Sequence, residues 1–307
     1  SFQEKHLPKR RATSEETSYP VVTGVGVEWP DEEVTFQKAC AAWRKVERLQ
    51  EQRQSQKIEF GSGPVCLVFV ADLHLGSSGV NYPRVFDEAR IIAETPGMYL
   101  VLNGDLLDNF ILAKMMDARH DAKLTIPEEW ALVRRYLKVI QHKLLVSVRG
   151  NHERWTWALS GIDYFADVLK PIKARAAIYD TDDVSLTLRV GKANIPTRIR
   201  HLWRYRSMWN LTHGPEQTFR MDGGNFRLAV GAHTHASGVC RGFNAGGAQG
   251  MAVLCGSYKV VDEHARRWGF PTANGSTAQS VVIFPDGFMV GIERLDIAAD
   301  LIQKLKP

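Results

Sequence analysis

Val65-Cys66-Leu67-Val68-Phe69-Val70-Ala71-Asp72-Leu73-His74 is a run of seven apolar residues that ends on two side chains able to bind a metal. A short apolar run rich in Val, without polar alternation, reads as a strand buried on both faces, as in a sheet covered by helices. The same pattern recurs along the chain. Met98-Tyr99-Leu100-Val101-Leu102-Asn103 leads into Gly104-Asp105, and Leu144-Leu145-Val146-Ser147-Val148-Arg149 into Gly150-Asn151-His152-Glu153. Two later runs read alike: Met208-Trp209-Asn210-Leu211-Thr212 before His213-Gly214, and Phe226-Arg227-Leu228-Ala229-Val230 before Gly231-Ala232-His233-Thr234-His235. In open α/β sheets, ligands collect beyond the carboxyl ends of the strands. Side chains far apart in sequence are therefore expected to meet along one sheet edge.

The donors at these five positions are carboxylates, imidazoles and one amide, with no cysteine among them. That set suits a pair of divalent ions such as Mn, Fe, Zn or Ni better than a thiolate-held structural zinc.

The ordered series Asp-x-His, Gly-Asp, Gly-Asn-His-Glu, Thr-His-Gly and His-Thr-His resembles the calcineurin-like metallophosphoesterase superfamily, over roughly residues 65 to 292. The resemblance implies an α/β fold, a four-layer αββα sandwich of two mixed sheets flanked by helices. It also implies a dinuclear centre, with Mn expected first and Fe, Zn, Ni or Mg as alternatives. Carried over residue by residue, the first ion falls to Asp72, His74, Asp105 and His235. The second falls to Asp105, Asn151, His213 and His233, with Asp105 as the bridge. His152 is then no ligand but the group that meets the substrate. Two departures stand out: Ala232 separates Gly231 from His233, and Pro215 replaces the histidine that often follows Thr-His-Gly. The second departure removes a substrate contact or leaves its role to His201.

Phosphate ester hydrolysis needs a hydroxide nucleophile near neutral pH and cations to offset charge on the phosphoryl group. Two metals about 3.5 to 4 Å apart, bridged by a carboxylate, supply both. The leaving alkoxide needs a proton or a positive neighbour, and His152 is the candidate. Glu153 and Asp108 are candidates to stand behind the metal-site imidazoles, or, for Asp108, to sit at a helix N-terminus.

The chain has 307 residues, 44% of them hydrophobic, enough for one large domain with a modest addition. No run reaches the roughly 18 to 20 apolar residues needed to span a bilayer, and no signal peptide is visible. Cys40, Cys66, Cys240 and Cys255 are widely spaced and read as reduced core residues. The expectation is a cytoplasmic protein without membrane contact. Residues 1–20 read as a basic, polar tail and residues 21–60 as a helical extension, with residues 61–307 as the catalytic domain. Within the extension, Asp31 to Gln56 reads as a charged helix whose apolar stripe (Phe36, Cys40, Trp43, Val46, Leu49) docks on the catalytic domain. A second helix is expected from Glu128 to His142, opened by Ile126-Pro127, and a third from Asp163, ended by Pro171. Residues 185–190 and 195–200 read as strands of the second sheet, and Pro285-Asp286-Gly287 as the turn of a closing hairpin.

Net charge is +5, which favours polyanionic partners. Arginines and aromatics interleave from Arg198 to Trp209, through His201 and Arg204. Arg149, Arg154, Trp155 and Trp157 surround Gly150-Asn151-His152, and Lys259, His264, Arg266, Arg267 and Trp268 form a second basic stretch. Arginines can hold backbone phosphates while aromatics stack bases. The first reading is therefore a phosphodiesterase acting on DNA, a nuclease. The alternatives are a small-molecule phosphodiesterase or phosphomonoesterase, with a cyclic nucleotide, nucleotide-lipid or phosphoprotein substrate, and a metal-stabilised nucleic-acid-binding module without catalysis.

Overall fold

The computed structural model describes residues 30–54, 56–61, 63–115, 119, 122–171, 177–207, 209–221, 223–235, 238–260 and 278–305. The expected tail at residues 1–20 and the stretch from His264 to Trp268 lie outside them. The chain divides into two units, Ser1–Arg48 and Leu49–Pro307, and both sheets belong to the second. The charged helix expected from Asp31 is α1 (Glu32–Gln54), capped where Asp31 Oδ1 accepts from Val34 N at 2.8 Å.

Among the described residues twelve strands follow: β1 (Lys57–Phe60), β2 (Val65–Val70), β3 (Met98–Asn103), β4 (Leu144–Val148), β5 (Ile178–Asp180), β6 (Asp183–Val190), β7 (Ala193–Arg200), β8 (Leu228–Gly231), β9 (Val239–Ala245), β10 (Ala248–Leu254), β11 (Gln279–Ile283) and β12 (Met289–Ile292). They form two mixed six-stranded sheets, in the orders β12-β11-β2-β3-β4-β5 and β1-β6-β7-β8-β10-β9. Strand β1 falls within the span expected as an extension, yet it pairs in parallel with β6 and forms a sheet edge.

The period of two along β2 divides its side chains between two cores. Leu67 and Phe69 pack with Leu186, Leu188, Ile199 and Val230 between the sheets. Cys66, Val68 and Val70 pack on the opposite face, against the helices α2 (Tyr82–Glu94), α3 (Ile126–Ile140), a short α5 (Tyr164–Leu169) and α7 (Leu295–Leu305). The parallel order β2-β3-β4 requires such crossovers, and local chemistry sets where they begin. Asn81 Oδ1 accepts from Arg84 N at 3.2 Å to start α2, and Glu128 Oε2 accepts from Thr125 N at 2.7 Å to start α3. The fourth layer is α6 (His213–Met221), whose Phe219 meets Phe226 at 5.4 Å and Phe243 at 5.2 Å beside Trp203. This is the expected αββα sandwich. No described helix is long and apolar enough to cross a membrane.

The strand expected before His213 does not form. Residues 209–212 bend and turn into α6, and Trp209 is 98% exposed, the opposite of a buried strand. Ser207 Oγ accepts from the amides of Trp209 and Asn210, so local side-chain bonds replace a sheet ladder.

Candidate metal centre

Beyond their ends, β2 and β3 stay zipped: Asp72 N donates to Gly104 O at 3.0 Å, His74 N to Asp105 O at 3.1 Å and Leu75 N to Leu106 O at 2.9 Å. The zip sets Asp72, His74 and Asp105 side by side. These three residues, with His233 and His235, adopt φ of 50°, 47°, 53°, 76° and 52°, in the left-handed region. Each such residue costs on the order of 1 kcal/mol or more and persists only where its surroundings over-determine it. Glycine is required where the loops touch. Gly104 sits at φ +82°, where a Cβ would lie 2.5 Å from Gly150 N, and a Cβ on Gly150 would collide with Asp105 Oδ1.

Two donor clusters share Asp105. In the first, one donor atom each from Asp72, His74, Asp105 and His235 lies within 4.8 Å of all the others. His74 Nε2 and His235 Nε2 face each other at 2.8 Å. In the second, Asp105 joins His201 and His233. His201 Nε2 stands 3.1 Å from Asp105 Oδ2 and 3.2 Å from Asn151 Oδ1.

The groups behind the donors fix which nitrogen faces inward. His201 Nδ1 donates to Asn103 O at 2.6 Å, which turns Nε2 toward Asp105. Asp108 Oδ1 lies 2.9 Å from His74 Nδ1, the carboxylate–histidine arrangement that orients metal ligands. His152 Nδ1 donates to the carbonyl of Asp108, and His152 Nε2 stands 3.8 Å from Asp105 Oδ2. Glu153 does not touch the His152 ring in this network. It clamps backbone instead, accepting from Leu106 N at 2.6 Å, Gly150 N at 2.9 Å and Asp105 N at 3.1 Å. Asn103 and Asn109 escaped the sequence reading. Asn103 Nδ2 donates to Arg200 O at 2.9 Å and so ties the two sheets beside the site, and Asn109 Nδ2 donates to His152 O. Their only signal in sequence is a place beside Gly104-Asp105 and Asp108.

The electrostatics are those of a buried, charge-dense site. Burial would raise Asp105, but the imidazoles of His201 and His152 hold it well below the usual carboxylate range. Burial would lower His201, but Asp105 raises it to about 10. Burial, with His235 nearby, depresses His74 to about 4. Burial and the Asp105 charge push Glu153 up to about 7. Burial opposes it, yet His74 and Lys259 bring Asp108 down to about 2.

Other expected residues lie elsewhere. His213 opens α6, half-buried, and belongs to none of the donor clusters among the described residues. The structure puts His201, at the carboxyl end of β7, where the sequence reading had put His213. Arg149 is buried and pairs with Asp163 at 3.2 Å. With the exposed Arg154, it lines a separate cavity of about 230 Å³ that also includes Trp157, Thr181 and Asp182. Arg198 is engaged with Asp183, and Trp203 is buried with its indole N–H on Val230 O at 2.8 Å. Arg204, Tyr205 and Arg206 are exposed just after His201, and Arg206 is among the charges that act on His233.

The donor set fits a pair of divalent cations. Asp72 Oδ1 and Asp105 Oδ2 are buried without a hydrogen-bond partner, and so is His233 Nδ1. Burying a carboxylate costs several kcal/mol unless a cation offsets it, and oxygen and imidazole donors are those that Mn, Fe, Zn and Ni accept.

A family model described as calcineurin-like phosphoesterase matches residues 67–237. No curated protein matches the sequence. Among solved structures, Vacuolar Protein Sorting 29 from Cryptosporidium parvum aligns at 15% identity and TM-score 0.39, covering 75% of this chain and 97% of that one. The calcineurin-like phosphoesterase YfkN from Bacillus subtilis aligns at 12% identity and TM-score 0.36, covering 72% and 85%. The nuclease MPE from Pseudomonas putida aligns at 14% identity and TM-score 0.34, covering 74% and 87%.

Proposed function

We propose, for a chain that belongs to the calcineurin-like phosphoesterase family, that it hydrolyses phosphodiester bonds at the Asp105-centred clusters and that its substrate is DNA. The observation that carries the hydrolytic reading is the shared Asp105, common to two donor clusters in which buried carboxylate oxygens face imidazole nitrogens, His201 Nε2 on Asp105 Oδ2 and His235 Nε2 on Asp72 Oδ1. Asp72, His74, Asp105 and His235 would hold one divalent ion, and Asp105, Asn151, His201 and His233 the other, with Mn the first candidate. When bound, such ions neutralise charge on the phosphoryl group and acidify a water.

The remaining roles fall to the chain. His152 presents Nε2 to the leaving oxygen and gives it a proton as the imidazolium, since its Nδ1–H is already donated to the Asp108 carbonyl. Asp108 keeps His74 in the tautomer that turns Nε2 inward. Glu153 fixes the loops that carry Asp105 and Asn151 relative to each other through its three backbone contacts.

The DNA reading is supported by the segment after His201. Arg204, Tyr205, Arg206 and Trp209 are exposed there, and cations with stackable rings suit a phosphate backbone bearing bases. The test compares cleavage of labelled single- and double-stranded DNA with that of bis(p-nitrophenyl) phosphate, for the wild type and for R206A and W209A. DNA cleavage that falls about tenfold in W209A while aryl diester turnover is kept supports the reading. Aryl diester turnover without any DNA binding at low salt overturns it in favour of a small-molecule diesterase.

A further inference from the structure

Two aromatic rings flank His152 without belonging to any apolar core. Trp155 lies one helical turn beyond His152 on α4 (Asn151–Ser160), with ring centroids 4.1 Å apart and planes tilted by 34°. Phe110 follows Asn109 in the loop after Asp108, 5.4 Å from the His152 ring and stacked on Trp155 at 5.9 Å and 29°. Lys259 Nζ lies 5.4 Å from the Phe110 centroid. Both rings are half-buried, and neither is a member of the three hydrophobic clusters among the described residues. A large ring normally contributes stability by full burial in a core. These two instead keep part of their surface open beside the His152 ring and the donor clusters around Asp105.

We infer that Phe110 and Trp155 form a recognition wall for a planar aromatic ring carried by the ester group on the His152 side of the scissile phosphate. The inference rests on the phosphoesterase reading of the same site. If His152 protonates the leaving oxygen, the group leaving with that oxygen passes over this wall, and a base or aryl ring there gains stacking that an alkyl group cannot. Specificity on this side then lies in ring shape rather than in hydrogen bonding, since the wall has no polar atom other than the indole N–H.

The test uses two simple probes, phenylphosphonate and methylphosphonate, binding to the Mn-loaded full chain by calorimetry. The wild type is expected to bind phenylphosphonate about tenfold more tightly. The preference should fall to within about twofold in F110A and return in F110Y, which restores the ring. A merely structural role would weaken both probes together and leave their ratio unchanged. Equal binding of the two probes by the wild type, or a ratio unmoved in F110A, overturns the inference while leaving the phosphoesterase reading intact. Binding of neither probe overturns both.

Discussion

Replacing His201 by Ala, with His213→Ala as its partner experiment, separates two assignments of the second cluster. In the metal-free protein His201 and Asp105 form a buried pair at 3.1 Å, and both groups are nearly inaccessible. Removing the imidazole leaves a carboxylate uncompensated, which costs about 3–5 kcal/mol. The rise of His201 to about 10 beside Asp105 points in the same direction. His213 makes no ion pair among the described residues and opens a helix on the outer layer, so its truncation should cost about 1 kcal/mol or less. Urea unfolding in the presence of a chelator measures both costs, and metal analysis after dialysis against Mn measures the ions retained. The expected result is a large loss of stability and of one ion in H201A, with two ions kept in H213A. If H213A loses an ion and H201A keeps both, the cluster has been assigned to the wrong histidine.

Truncating His152 to Ala should leave two ions bound and lower turnover of an aryl diester by about 10²- to 10⁴-fold; loss of an ion instead would make His152 a ligand. Gly150→Ala drives a Cβ into Asp105 Oδ1 and should destabilise the fold by more than about 2 kcal/mol, read by thermal unfolding, with loss of metal. The pH dependence follows from His201, whose folded value is raised to about 10. Its contribution to metal-free stability is fully present below about 6.5 and is lost as pH rises through about 10. A ligating imidazole must be neutral, so Mn uptake at pH 8 should release close to one proton from this residue, measurable by titration calorimetry in buffers of different ionisation enthalpy. Uptake without proton release would remove His201 from the ligand set.

The strands that carry Asp72, Asp105 and Asn151 were legible because parallel strands in a covered sheet leave uninterrupted apolar runs, as in Val65–Val70, whose six residues are all buried. The second sheet was legible from alternation, as in Asp183–Val190, where every second residue is buried. The His201 assignment was harder to read. β7 reads as an alternating strand ending at Arg200, but Leu-Trp-Arg follows His201, without the glycine that usually marks such a loop. The Thr-His-Gly triplet, meanwhile, lies at a helix start, where Thr212 O accepts from Glu216 N at 3.2 Å. A motif on one line of sequence cannot distinguish a strand end at Arg200 from a helix start at His213, thirteen residues later. Asn103, Asn109 and the Phe110–Trp155 pair were silent for another reason: their roles depend on contacts across loops, which no local period encodes.

Titrating Mn into metal-free protein while following bis(p-nitrophenyl) phosphate hydrolysis, with D105N in parallel, bears on every part of the site at once. Wild-type turnover should be absent without metal and rise to a plateau at two ions per chain, while D105N stays near background throughout. Turnover without metal, a plateau at one ion, or a D105N rate equal to wild type would contradict a bridged dinuclear centre at Asp105.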